Sequence, residues 1–195
     1  MINDALDLIV SLINDYIGVI PDEVTLGNIS LIDAFQDSSA SQLNDKVIAS
    51  VINIEQEPVL RNLPYRKTVN GEDGMPQSQE QPPPVYLNVY VLFGANKNPQ
   101  NYNDALLRIS QIIAFFQRQN LFTPANTPPL GTTNIQKLIF DLYSTSLEEL
   151  NHIWSVNGGK YIPSVLYKMR MIMIQDADPS EAGTIKSMGT TPNVM

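Results

Sequence analysis

The chain has 195 residues, 43% of them hydrophobic and 16% charged, which is enough apolar material for one domain with a packed core. Its formal net charge of −8 opposes binding to the phosphate backbone of nucleic acids. The lack of cysteine excludes disulfides, thiolate metal sites and a cysteine nucleophile, and there is a single histidine.

The first 45 residues predict one helix and a short extended piece. Apolar side chains recur at helical spacing over 2–17, with acidic and amide side chains near the start, where they suit the helix dipole. Gly18 and Pro21 end this helix. Residues 24–31 hint at the alternation of a strand, and the serine-rich stretch 33–45 is typical of a loop.

A strand and a long irregular segment follow. Residues 46–57 predict a strand with apolar side chains on both faces, as in a strand that is covered twice. Prolines and glycines recur throughout 58–84, so no packed element is expected there. Arg61, Arg66 and Lys67 in this segment could contact a partner. A solvated hairpin or a loose connection is the simpler interpretation.

The middle of the chain alternates strand, helix and strand. Residues 85–93 predict a strand from their regular alternation and their β-branched and aromatic content, and a turn follows at 94–100. The apolar stripe of 102–119 is wide, so this helix is expected to be the most buried one. A proline-rich loop at 123–133 leads into a strand at 135–143.

The helix around the only tryptophan has the clearest boundaries. Ser146 and Glu149 have the spacing of a capping box, in which each side chain bonds the other residue's backbone amide. The glycine pair 158–159 ends the helix. Three apolar side chains are expected to share one face: Leu147, Leu150 and Trp154.

Residues 163–174 predict the last long strand. Its alternate methionines could form an adaptable binding face, but filling of the core is the favoured interpretation for Met169, Met171 and Met173. Beyond residue 176 small and polar residues dominate, which predicts a tail at 177–195 that is disordered when alone.

The order of these elements indicates an α+β domain. Helices and strands mix without the regular alternation of a parallel sheet, so we expect a mostly antiparallel sheet of about four strands with helices packed on it. The domain would span 1–176 and include the proline-rich loop 58–84. Residues 177–195 would form a flexible tail.

Nothing in the sequence predicts catalysis or a cofactor. His152 lies on a helix flank with no nucleophile motif beside it, and a lone histidine there is most often structural or solvated. Gly158-Gly159-Lys160 lacks the spacing of a phosphate loop. Metal ligands are too few for a zinc site, and Asp176 and Asp178 lack the calcium-loop framework. We expect a protein that acts through its surface and is not an enzyme.

Three groups of residues carry a family resemblance. They are the strand 85–93 with Tyr102-x-x-Ala105-Leu106 and Ile113-x-x-Phe116-Gln117, then Leu147-Glu148-Glu149-Leu150-x-x-x-Trp154, and then Tyr161-x-Pro163-Ser164-x-x-Tyr167. Together with the opening helix, they resemble the cap family of extracellular contractile injection systems. That family includes the tail terminators of antifeeding-prophage and virulence-cassette particles. The resemblance covers residues 1 to about 176.

The resemblance implies a structural role. Such proteins form a sixfold ring on the distal end of the inner tube and sheath, where the ring stops polymerisation and holds the sheath extended. The implied partners are further copies of the chain, the sheath protein and the inner tube protein. The matching residues look like fold-makers more than contact residues, so they transfer the fold and leave the interface unassigned. The candidate contact residues are Arg61, Arg66, Lys67, Ile185, Met188 and Val194.

Location and one alternative function complete the expectations. The longest apolar runs have five residues, so no membrane insertion is expected, and the opening residues do not resemble a secretion signal. We therefore expect assembly in the cytoplasm, followed by incorporation into a released or membrane-anchored particle. By hypothesis, the tail 177–195 becomes ordered on that particle. The alternative is a monomeric adaptor, such as a tail-completion or effector-loading module.

Overall fold

A six-stranded sheet organises the structure, a computed structural model that describes residues 2–18, 22–32, 43–57, 66–70, 76–80 and 85–173. The helices and strands in these ranges are α1 (Ile2–Ile17), β1 (Val24–Leu26), β2 (Lys46–Gln56), β3 (Arg66–Asn70), β4 (Pro76–Glu80), β5 (Val85–Asn96), α2 (Tyr102–Arg118), β6 (Leu121–Phe122), β7 (Ile135–Leu142), α3 (Leu147–Val156) and β8 (Ser164–Met173). Short 3₁₀ turns lie at Ile29–Leu31, Pro99–Asn101 and Pro128–Thr132.

The strand order in the sheet is β1-β2-β5-β8-β7-β6. β1 runs parallel to β2, and every other neighbouring pair is antiparallel. The expected α+β class is confirmed, but the sheet has six strands instead of about four. The two outermost strands are short: β6 has two residues and shows no periodicity, whereas β1 has three residues and lies within the stretch 24–31 that hinted at a strand.

Strands β3 and β4 pair with each other as a separate antiparallel hairpin. They lie inside 58–84, where the sequence predicted no packed element. The hairpin agrees with the simpler interpretation of this segment, a solvated hairpin, whereas its position and bounds were not predicted, because a hairpin of polar residues needs only its backbone bonds and shows no hydrophobic alternation.

Helices α1 and α2 cover one face of the sheet. Their buried side chains pack on inward residues of the central strands, including Val91, Phe93, Tyr167 and Met169. The rings of this layer are in direct contact: the Phe116 centroid lies 4.4 Å from that of Tyr167 and 4.6 Å from that of Phe140. Met169 and Met171 are fully buried here, so the favoured core role is confirmed for these two, while the side chain of Met173 lies outside the described residues.

The second face carries a smaller core under α3. Trp154 packs there with Ile48, Leu92 and Leu166, together with the 3₁₀ turn that carries Ile29. Gly94 of β5 allows that turn to approach the sheet, since a Cβ at Gly94 would lie 2.5 Å from Ile29 Cδ1. The second core therefore leaves no room for a side chain at this strand position.

Helix α3 has the predicted ends. The Ser146 hydroxyl accepts from the Glu149 amide at 3.2 Å, and the Glu149 carboxylate accepts from the Ser146 amide at 2.7 Å. Gly158 and Gly159 have positive φ angles of 96° and 77°, which glycine adopts without strain. Leu147, however, points to solvent, so the predicted face holds for Leu150 and Trp154 only.

Four other expectations are corrected by the structure. Residues 24–31 form a short strand and then a 3₁₀ turn, and β5 continues to Asn96 through the predicted turn. Strand β2 is buried on both faces only in its first half. Helix α2 exposes Tyr102, Leu106 and Leu107, while the charged Arg108 is buried.

Candidate functional site

The predicted contact residues fall largely outside the described part of the chain. Arg66 and Lys67 begin strand β3, whose backbone is described. Arg61, Ile185, Met188 and Val194, with the whole tail 177–195, lie outside the described residues. The contact role of these residues therefore stays a prediction, and the surfaces that the structure does describe come from other elements.

The two outermost strands are closed by asparagine side chains. At the β1 edge, the Asn14 amide donates to the Val24 carbonyl at 2.9 Å and its oxygen accepts from the Val24 N–H at 2.8 Å. At the β6 edge, the Asn126 amide donates to the Leu121 carbonyl at 2.8 Å and accepts from the Thr123 N–H at 2.7 Å. Each carboxamide replaces the backbone of a further strand, which protects the edge from pairing with another chain.

Strand β2 extends well past its short neighbour. β1 pairs only with residues 47–49 of β2, whereas β5 pairs with β2 along its whole length. In the described part of the chain, residues 51–56 therefore have no strand on their outer side. The register shifts between Val51 and Asn53, and a bulge of this kind is common where a sheet edge is modified for function.

Among the described residues, the outer side of this stretch makes a local side-chain contact and no strand pairing. The Ile54 N–H donates to the Asn53 carboxamide oxygen at 2.9 Å, and the Asn53 amide donates to the Glu55 carboxylate at 2.8 Å. Glu57 donates its N–H to the Tyr86 carbonyl at 3.0 Å, so alternate residues face β5 and those between them face outward. We call residues 51–56 the open edge.

A groove of about 450 Å³ lies beside the open edge, between the second face of the sheet and α3. Ile52, Tyr90, Leu166 and Ile153 contribute apolar surface, and Val156 of α3 forms part of its wall. We call this the α3 groove. Two carboxylates and the histidine line it as well: Glu55, Glu149 and His152.

Two tyrosines shape the groove. The Tyr90 and Tyr143 rings meet edge to face with centroids 5.4 Å apart, and the Tyr90 hydroxyl donates to Glu55 at 3.2 Å. Burial raises the pKa of Tyr90, and the hydrogen bond and charge of Glu55 raise it further. Tyr90 is therefore a neutral donor at physiological pH, which fixes the Glu55 carboxylate at the rim.

A buried ionic cluster lies on the opposite side of the sheet from the groove. Glu23 is 2% exposed, and its Oε1 lies 2.6 Å from Lys97 Nζ and 3.0 Å from Arg108 Nε. Asp104 lies 3.5 Å from Lys97 Nζ and 3.4 Å from Arg108 Nη2. The cluster ties the start of β1 to α2 and the end of β5. Its one sequence signal is Arg108, a charge within the apolar stripe of α2.

The arrangement offers binding surfaces and no recognisable catalytic centre. The residues that the structure describes contain no group of three or more histidines, aspartates or glutamates able to hold a metal ion. His152 is exposed, with Nε2 3.9 Å from Glu148, as expected for a solvated histidine. No described helix is long and apolar enough to cross a membrane.

Comparison with known proteins identifies the family to which this chain belongs. The family model described as the Pvc16 N-terminal domain matches residues 5–187. The chain belongs to this family. The resemblance found in the sequence, to caps of contractile injection systems, is thereby confirmed. A search of curated proteins gave no match.

Two cryo-EM structures share the fold of this Pvc16 N-terminal domain. One is the PVC sheath/tube terminator of an extracellular contractile injection system in its extended state, with a TM-score of 0.63 and 14% identity over 100% of this chain and 64% of that chain. The other is the anti-feeding prophage cap, a tube-terminating cap, with a TM-score of 0.53 and 17% identity over 80% of this chain and 52% of that one. The chain thus spans less than two thirds of either protein's length.

Proposed function

We propose that this chain is a cap subunit that terminates the tube and sheath of a contractile injection system. The observation that carries the proposal is the fold: all 195 residues align with the sheath/tube terminator at a TM-score of 0.63. The family membership over 5–187 supports the same role. The protein would act through shape and contacts, without turning over a substrate.

The cap would be a ring of identical subunits. Such a ring needs two different surfaces on each copy, so that the interface closes on itself and leaves no growing end. A sheet with both outer strands closed by asparagines fits this task, because it resists open-ended strand pairing. Six copies of 21.7 kDa would give a ring of about 130 kDa.

Assembly with the sheath and tube proteins tests the role. The sheath and tube proteins are co-expressed with the baseplate components, once with this chain and once without it. Tube lengths are then measured by electron microscopy. We expect particles of uniform length with the chain at one end only, and tubes of irregular length without it. Uniform tubes in its absence, or the chain distributed along the particle, would show that it is not a terminator.

The ring and the place of assembly have their own measurements. Native mass spectrometry of disassembled particles is expected to give a six-copy species, and any other closed number would correct the sixfold expectation. Producing cells are harvested before they release particles and are then fractionated. Capped particles are expected in the cytoplasmic fraction. Substrate screening of purified rings is expected to find no turnover, and steady hydrolysis of any ester, peptide or glycoside would contradict the structural role.

A further inference from the structure

The open edge and the α3 groove adjoin each other, and their side chains complement different parts of one ligand. On one face of the open edge, Val51 and Ile54 are 37% and 49% exposed, opposite the core residues Val91 and Val89 of β5. On the other face lie Asn53 and Glu55, which line the α3 groove. The edge is therefore apolar on one face and acidic on the other.

The charges of the groove favour a cation. Glu55 and Glu149 lie at its rim, and its described lining contains no lysine or arginine. Its floor is apolar, which suits the aliphatic stem of an arginine or lysine whose head reaches a carboxylate. Val156, in the wall, is 84% exposed and adds apolar surface to the groove.

The main-chain groups on the outer side of the open edge can pair with an added strand. Both outer strands are closed by a carboxamide that satisfies an N–H and a C=O together. At the open edge, Asn53 accepts only the Ile54 N–H, and its side chain can rotate away to release that donor. An incoming strand would replace this one contact with a ladder of main-chain bonds.

We propose that the open edge and the α3 groove together bind one extended segment of another protein, in which apolar side chains alternate with arginine or lysine. The segment adds a strand to β2 over residues 51–56. Its apolar side chains cover Val51 and Ile54, and its cationic side chains enter the groove toward Glu55. This proposal is separate from the terminator role: tube length measures that role, and peptide binding measures this one.

A labelled peptide is the probe. Acetyl-Thr-Val-Arg-Val-Arg-Val-Thr-amide is titrated with the full chain by fluorescence anisotropy, beside a peptide of the same composition with Val-Val-Val-Arg-Arg in the middle. We expect the alternating peptide to bind about tenfold more tightly, since only it directs both cations to one face. Equal affinity for the two, or no binding of either, would overturn the proposal.

The main-chain bonds are tested on the peptide, which leaves the protein unchanged. N-methylation of one alternate set of peptide amides removes the donors that face β2, and methylation of the other set does not. We expect one set to weaken binding by about tenfold or more for each bond lost and the other to have little effect. Equal effects of both sets would show that no strand is added.

Paired variants separate the groove from general effects. Glu55→Lys is expected to weaken binding about tenfold, whereas Asp15→Lys makes the same change of charge on α1 and leaves it unchanged. Val156→Asn weakens binding, whereas Leu147→Asn changes an equally exposed residue of α3 outside the groove and does not. Equal losses within either pair would contradict a local site. Sedimentation that finds copies of the chain paired through this edge would assign it to self-association instead.

Discussion

Removing the carboxylate of Glu23 tests whether the buried ionic cluster holds the start of β1 and the end of β5 to α2. Glu23→Gln preserves the shape of the side chain but leaves Lys97 and Arg108, whose side chains are 2% and 7% exposed, without their shared anion. Loss of one partner from a buried pair costs about 3–5 kcal/mol. Since Asp104 still contacts both cations, we expect the lower end, about 3 kcal/mol.

Urea unfolding followed by the fluorescence of Trp154 measures this cost. With a denaturant slope of about 2 kcal/mol per molar, the unfolding midpoint should fall by about 1.5 M. Asp45→Asn is the matched control: Asp45 is 68% exposed and 4.0 Å from Lys97, and asparagine tolerates its positive φ of 58°. The control should cost less than about 0.5 kcal/mol. A Glu23→Gln midpoint equal to that of the control would refute the idea that burial makes this cluster strong.

Three further outcomes are expected in the same assay. Ser146→Ala should cost about 1 kcal/mol, because the first turn of α3 loses its cap, and Ser144→Ala outside the helix should not. Gly94→Ala should cost about 1–3 kcal/mol through overpacking against Ile29, and Ile29→Val in the same chain should recover part of it; a neutral Gly94→Ala would mean that the second core is loosely packed. Burial raises the pKa of Tyr167 to about 12, so the folded state favours the neutral phenol, and the resulting stability is complete below pH 10 and is lost as the pH rises from 10 toward 12. That loss, about 1–2 kcal/mol, should be absent in Tyr167→Phe, and an identical pH dependence of the two proteins would contradict this cause.

The long elements of the fold could be predicted because each has a period that its own residues display. The helical spacing of α2, the alternation of β5 and the capping box of α3 are local patterns, and all three elements are found, although α2 exposes part of its predicted stripe. The outer strands are a different case: the stretch 24–31 only hinted at the strand that β1 forms, and β6 was not predicted. β1 and β6 are positioned by bonds to β2 and β7, and a two- or three-residue strand has no period of its own.

The candidate site could not be predicted, because it depends on contacts between residues far apart in the chain. The α3 groove joins Ile52, Tyr90, Ile153 and Leu166, which come from four different elements. The open edge exists only because β1 is shorter than β2, a difference that no property of β2 reveals. Leu147 is the opposite case: its spacing fits the buried face of α3. It is the first residue of the helix, however, and it lies beyond the edge of the second core, exposed to solvent.

Deamidation of Asn14 or Asn126 would change the sheet edges that their carboxamides close. Deamidation turns such a side chain into a carboxylate, which has no N–H to donate and repels the carbonyl that it faces. Ageing of Asn14 would set a negative charge against the Val24 carbonyl and expose the rim of the sheet while the core stays intact. Stored protein is therefore expected to form higher-mass species in sedimentation before its circular dichroism changes, and Asn14→Asp should show this behaviour when fresh.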